Sequence, residues 1–107
     1  MKNLAFFGGG NIAQSIIEGL INSGYSSKNI FFVDRNSNNQ KALNKLGIKK
    51  LSGAKNKIDL YILAVKPKDA TAAFQTILNE NTKPKIVSLV AGVKTKRYKS
   101  FGKILKR

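Results

Sequence analysis

Residues 8–13 read Gly-Gly-Gly-Asn-Ile-Ala and sit directly behind the apolar run Leu4-Ala5-Phe6-Phe7. No other feature narrows so far what this chain can fold into. An apolar run with aromatics over residues 2–7, closed by glycines, reads as a buried strand. Behind the glycines, Ile12, Ile16 and Leu20 recur at helical spacing, as do Ala13, Ile17 and Ile21. That period predicts an amphipathic helix over residues 11–23, with Gly24 as its stop. Gly8, Gly10 and Ala13 then fill the marked positions of a Gly-x-Gly-x-x-[Gly/Ala] turn between strand and helix. Gly8 lets the chain bend sharply, Gly10 lets a ligand approach the backbone, and Ala13 is small enough for close helix–strand packing. The first turn of such a helix offers unpaired N–H groups and a positive end, which suits an anion. No Gly-Lys-[Ser/Thr] follows, so the other common phosphate loop is excluded.

The remainder alternates in the same way. Strands are predicted over residues 29–33, 48–51, 59–65 and 85–90, the third stopped by Pro67 and the last by Ala91 and Gly92. Asn36, Ser37, Asn38 and Asn39 supply cap candidates for a helix running through Leu46 to Gly47. A further helix is predicted over residues 68–78, with Ala72, Ile77 and Leu78 on its packed face, and another begins over 95–101. Strands that are apolar throughout and separated by helices imply an α/β fold: a doubly wound, mostly parallel sheet with helices on both faces, of Rossmann type. Residues 1–107 make one such domain.

Composition removes several function classes. The chain has no cysteine and no histidine, which excludes a disulfide framework, a thiol nucleophile, a zinc enzyme and a Ser-His-Asp hydrolase. No metal site is expected. No apolar run reaches the roughly 18–20 residues of a membrane span, and the N-terminal run breaks at Gly8, too early for a signal sequence. A cytoplasmic location is expected. The net charge is +15, but 17 of the 20 basic residues are lysines scattered along the chain. Base reading favours arginine, so nucleic acid is not the expected partner. The densest basic stretch, residues 94–107, holds seven cations and no acid, and it motivates an alternative reading as a polyanion-binding module.

Asp34 closes the second strand 26 positions after Gly8. An acid there accepts hydrogen bonds from an adenosine ribose 2′-OH, which suits NAD(H), while the neighbouring Arg35 can pair a 2′-phosphate, which suits NADP(H). Ala64, Val65, Lys66 and Pro67 end another strand, at the side of an open α/β sheet where ligands bind. Tyr61 is expected to pack and Glu18 to be solvated, while Asp59 is read as a turn residue and Asp69 as favouring the start of the next helix. No catalytic residue is assigned.

Phe6 to Ala13, Asp34-Arg35, Ala64-Val65-Lys66-Pro67 and Ala91-Gly92-Val93, in this order and spacing, resemble the N-terminal domain of pyrroline-5-carboxylate reductases. That resemblance implies reduction of 1-pyrroline-5-carboxylate to proline with NAD(P)H, usually NADPH. It implies cofactor contacts from Phe7, Gly8, Gly9, Gly10, Asn11 and Ile12 at the pyrophosphate and from Asp34 and Arg35 at the adenosine ribose. It places Ala64, Val65, Lys66 and Pro67 along the cofactor, and Leu89, Val90 and Ala91 beside the nicotinamide. The stretch between Gly47 and Asp59 is shorter than in the family, so Asn56 is not carried over as a contact. The helical domain that dimerises and holds the substrate follows this region in the family. A missing C-terminal half or a partner chain is therefore implied, and no turnover is expected of residues 1–107 alone. The glycine loop is shared with coenzyme-F420-linked NADP reductases, which stand as the alternative enzyme class.

Overall fold

The structure, a computed structural model, describes residues 2–52, 57–80 and 83–89. Five strands form one sheet: β1 (Leu4–Phe7), β2 (Ile30–Val33), β3 (Lys49–Lys50), β4 (Leu60–Leu63) and β5 (Ile86–Ser88), in the order β3-β2-β1-β4-β5. Every pairing is parallel. Helices α1 (Asn11–Asn22), α2 (Ser37–Lys45) and α3 (Ala70–Glu80) make the crossovers, and short 3-10 turns at Ser27–Asn29 and Pro67–Asp69 lead into β2 and α3. The predicted helix over residues 95–101 lies outside the described residues.

All four residues of β1 are buried, as a central parallel strand requires. Its side chains alternate between two cores. Leu4 and Phe6 point to the side covered by Ala13 and Ile17 of α1 and Leu43 of α2. Ala5 and Phe7 point to the other, with Ala70 and Ile77 of α3. Ile17 and Ile77 are fully buried, each contributing on the order of 1.5–3 kcal/mol through area removed from water. Tyr61 packs as expected, its ring centroid 6.1 Å from that of Phe7.

Two helix faces differ from their sequence-based description. On α1 the sheet takes the stripe through Ala13 and Ile17, while Ile12 is 62% exposed. The two stripes lie about 100° apart on the helix, and only the one carrying the small Ala13 can approach β1 closely. On α3, Ala72 is exposed and Leu78 half-buried, and the packed residues are Ala70, Phe74 and Ile77. These three are spaced i, i+4, i+7, one stripe of a helix that begins at Ala70 after the Pro67–Asp69 turn, and Ile77 alone of the expected residues is fully buried on it. The end of α1 follows expectation. Gly24 takes φ +104°, its N–H bonds the Ile21 carbonyl at 3.0 Å, and the Tyr25 N–H reaches the Leu20 carbonyl at 2.9 Å.

Candidate cofactor site

The register brings together residues far apart in sequence. Phe7 pairs with Val33 and with Leu63, and Leu63 with Ser88, so the C-terminal ends of β2, β1, β4 and β5 are level. The next residues, Asp34, Gly8, Ala64 and Leu89, therefore form a row across the sheet. Backbone bonds fix it: Gly8 N–H to Val33 O at 2.9 Å, Ala64 N–H to Phe7 O at 2.7 Å, and Leu89 N–H to Leu63 O at 2.8 Å. β1 and β4 are neighbours although α1, β2, α2 and β3 intervene in sequence. The chain thus winds away from this point in both directions, which opens a crevice above Gly8 and Ala64.

The three glycines have three different reasons for lacking a side chain. At Gly8, φ is +100°, and a Cβ would press into the Ala64 carbonyl, 2.6 Å from its carbon and 2.9 Å from the Val65 nitrogen. At Gly9, a Cβ would collide with Cδ1 of Leu43 and lie 3.2 Å from a carboxylate oxygen of Asp34. At Gly10, φ is −75° and ψ −166°, extended backbone open to any residue, and a Cβ would meet nothing within 4 Å. Among the described residues no atom demands glycine at position 10.

Gly10 is also the N-cap of α1, and no side chain caps this helix. The first intrahelical bond runs from Gln14 N–H to Gly10 O at 2.9 Å. The N–H groups of Asn11, Ile12 and Ala13 precede it, at the positive end of a 12-residue helix. A diphosphate fits this arrangement, because its oxygens can take those donors and the bare Gly10 lets them approach.

Asp34 is more than an acid at the ribose position. Its Oδ2 accepts from Gly9 N–H at 2.6 Å and from the Asn39 amide at 2.9 Å, and its Oδ1 accepts from Asn36 N–H at 2.8 Å. The carboxylate ties the glycine loop to the start of α2, and Arg35 is not among its partners. Gln40 donates to the Asp34 carbonyl at 2.6 Å and Gln14 to the Gly9 carbonyl at 2.7 Å. Sequence reasoning missed Gln14 and Gln40, and took Asn39 only as a cap candidate for α2. The signal for Asn39 was its position three residues after the cap, where a polar side chain often reaches back. Asn36 does cap α2, accepting from Asn39 N–H at 2.9 Å.

Of the other expected site residues, Phe7 is buried beneath the row, and Asn11, Arg35, Lys66 and Pro67 are exposed around it. Val65 is half-buried and Lys66 precedes the Pro67–Asp69 turn. Val90 and Ala91 lie outside the described residues, as does Asn56. Among the described residues no helix is long and apolar enough to cross a membrane.

A parallel sheet with this strand order, a glycine turn at the reversal point and an uncapped helix behind it define a Rossmann-type dinucleotide-binding unit. The chain belongs to the NADP oxidoreductase, coenzyme F420-dependent family, whose model matches residues 3–92. It is 31% identical to a pyrroline-5-carboxylate reductase of Pasteurella multocida over 92% of this chain and 39% of that protein. It is 32% identical to the one of Haemophilus influenzae over 90% of this chain and 37% of that protein. Among solved structures, a pyrroline-5-carboxylate reductase from Coxiella burnetii superimposes with a TM-score of 0.80 at 28% identity, covering 99% of this chain and 40% of that one. An imine reductase from Bacillus cereus shares the fold, with a TM-score of 0.74 at 21% identity, over 99% of this chain and 37% of that one. The chain thus spans about two-fifths of the length of the relatives it matches.

Proposed function

We propose that this chain is the NADP(H)-binding part of a pyrroline-5-carboxylate reductase, acting in the cytoplasm in the reduction of 1-pyrroline-5-carboxylate to L-proline, the last step of proline biosynthesis. The observation that carries this reading is Gly10: among the described residues, a glycine no atom requires, at the N-cap of a helix that no side chain caps. The relatives' names supply the substrate. A bound nicotinamide dinucleotide supplies a hydride for a C=N bond.

The chain's own residues bind and orient the dinucleotide. Phe7 to Ile12 form the pyrophosphate cradle, and Gly9 and Asp34 hold its shape through their 2.6 Å bond. Asp34 and Arg35 face the adenosine ribose, Ala64 to Pro67 run along the cofactor, and Leu89 lies at the nicotinamide end. Three donors already engage the Asp34 carboxylate, so the exposed Arg35 is the group available for a 2′-phosphate. NADP(H) is the favoured cofactor, and NAD(H) is the alternative that Asp34 leaves open. The groups that hold the imine belong to the length of the relatives this chain does not span. Residues 1–107 bind the dinucleotide without turnover, and a C-terminal half or partner chain completes the enzyme.

Calorimetric or fluorescence titration with NADPH and NADH tests the reading. Saturable binding is expected, and Gly10→Val should abolish it while leaving the unfolding midpoint unchanged. No signal at millimolar dinucleotide would refute it. The family's description supports a second reading, an F420-linked NADP reductase. Joining this chain to a relative's missing part and finding turnover with a deazaflavin but not with the cyclic imine would favour that reading.

A further inference from the structure

The fold sorts charge that looks scattered in the sequence. Strands of a parallel sheet are all entered from one end, and a lysine stands at nearly every entrance. Lys2 precedes β1, Lys28 precedes β2, Lys57 precedes β4, Lys83 and Lys85 precede β5, and Lys49 opens β3. All six are exposed. Lys45, also exposed, ends α2 at the same side of the sheet. Asp59 and Glu80 are the acids whose backbone lies there, and the Asp59 carboxylate accepts from Asn3 N–H at 2.8 Å. At the opposite end, around the cofactor row, Arg35, Lys66 and Lys68 are nearly balanced by Asp34 and Asp69. Among the described residues the positive charge is therefore concentrated at the end away from the candidate cofactor site.

The lysine row also rests on a fixed backbone. Asn3 is its hub: its amide donates to the Lys57 carbonyl at 2.8 Å, its side-chain oxygen accepts from Asn29, next to Lys28, at 2.8 Å, and its carbonyl accepts from Asp59 N–H at 2.9 Å. The Lys2 carbonyl accepts from the Tyr25 hydroxyl, and the Lys85 carbonyl accepts from Tyr61 N–H at 2.9 Å. With strands spaced ~4.8 Å apart, five strands set the lysines along a line of roughly 19 Å. A duplex carries a phosphate about every 1.7 Å of axis over both strands, so a face of that width meets several phosphates.

We propose that this rim binds the phosphate backbone of double-stranded nucleic acid without reading sequence, independently of the cofactor site. The described cations of this rim are all lysines, with the described arginine, Arg35, at the other end of the sheet. Lysine pairs phosphate as a point charge, whereas base reading needs forked donors.

The test is fluorescence anisotropy of the full chain with a labelled duplex of about 20 base pairs, long enough to exceed the rim, titrated at several salt concentrations. Lys28→Gln, Lys57→Gln and Lys85→Gln combined should reduce the slope of log K against log[salt] by between about two and three, since each lost phosphate contact removes ~0.9. Two other triples carry the same charge change: Lys41, Lys50 and Lys68 to Gln, and Lys94, Lys96 and Lys99 to Gln. Each should change the slope by less than about one. Circular dichroism melting confirms that all three fold, and because every substituted lysine described is exposed, none removes a packed group. Equal effects from the three triples, loss confined to the 94–99 triple, or no binding at low salt each overturn the proposal. So would equally tight binding to phosphatidylserine vesicles, which would make the rim a membrane surface.

Discussion

Replacing the three loop glycines one at a time by alanine should separate what the fold needs from what a ligand needs. At Gly8 the added methyl group meets two penalties. The backbone sits at φ +100°, where a side chain costs on the order of 1–3 kcal/mol. The methyl also enters the space of the Ala64 carbonyl and Val65 amide, backbone groups of β4's end that are pinned by the 2.7 Å bond to Phe7. Overpacking of that kind costs about another 1–3 kcal/mol. Gly8→Ala should therefore lose about 3–5 kcal/mol, a large part of the ~5–15 kcal/mol that holds a domain of this kind. At Gly9 the obstacle is the far end of Leu43, which can shift, so about 1–3 kcal/mol is expected. At Gly10 no atom is met and φ is ordinary. The smaller entropy of the unfolded chain, ~0.4–1 kcal/mol, offsets the loss of a better N-cap, so Gly10→Ala should stay within ~0.5 kcal/mol of the parent. Urea unfolding at unchanged m measures all three, and dinucleotide titration should show Gly10→Ala weakened in binding alone. If Gly10→Ala destabilises the chain as much as Gly8→Ala, the whole loop is an internal packing feature and the cradle argument fails.

Asp34→Ala should cost about 2 kcal/mol, near 10 °C in Tm, because Gly9 N–H is buried and loses its acceptor; an unchanged Tm in thermal melts would make Asp34 a solvated acid with no hold on the loop. Leu43→Ala should cost about 2–5 kcal/mol alone yet relieve Gly9→Ala, and a double-mutant cycle in urea should return a coupling of ~0.5–3 kcal/mol, with strict additivity counting against the contact. Ile17→Ala should lose about 2–5 kcal/mol while Ile12→Ser, one position along the outer stripe, stays within ~0.5 kcal/mol in the same assay. Equal losses would mean that α1 is rotated on the sheet.

Local patterns carried most of the fold. Apolar blocks such as Leu4-Ala5-Phe6-Phe7 and Leu60-Tyr61-Ile62-Leu63 have no polar alternation, so only a strand covered on both sides suits them, and the five strands appear where expected. Ends were less legible, since they depend on neighbours: β4 stops at Leu63, two residues before the sequence pattern does, where the chain turns beneath Gly8. Helix faces were half legible. Two adjacent stripes on α1 are equally apolar in sequence, and the choice between them is made by the approach of Ala13 to the sheet. The positions of Gly8, Gly10 and Asp34 were visible as a motif, but the bond from Gly9 to Asp34 joins residues 25 apart and has no local signature. The same holds for the lysine rim, because charge sorted by strand direction becomes apparent only when the strands are known to run one way.

That shared direction also explains why the candidate site carries so little side-chain chemistry. At the C-terminal ends of the strands the groups that matter are backbone: the N–H donors at the start of α1, and the Gly8, Ala64 and Leu89 amides that hold the row level. Side chains there act mainly by being absent, as at Gly8 and Gly10, or by holding the backbone still, as Asp34, Gln14 and Gln40 do. A surface made of main-chain donors binds a phosphate bridge common to both nicotinamide dinucleotides and has no means of distinguishing them. On the proposed reading, discrimination falls to the single step from Asp34 to Arg35, where a carboxylate already engaged by three donors is followed by an exposed guanidinium. If the chain serves the proposed reductase, specificity for the acceptor comes from groups outside this row, because among its described residues no side chain is placed to protonate or orient an imine. The division of labour follows from the geometry: the strands deliver a rigid backbone edge, and whatever distinguishes one reductase from another is added beyond it.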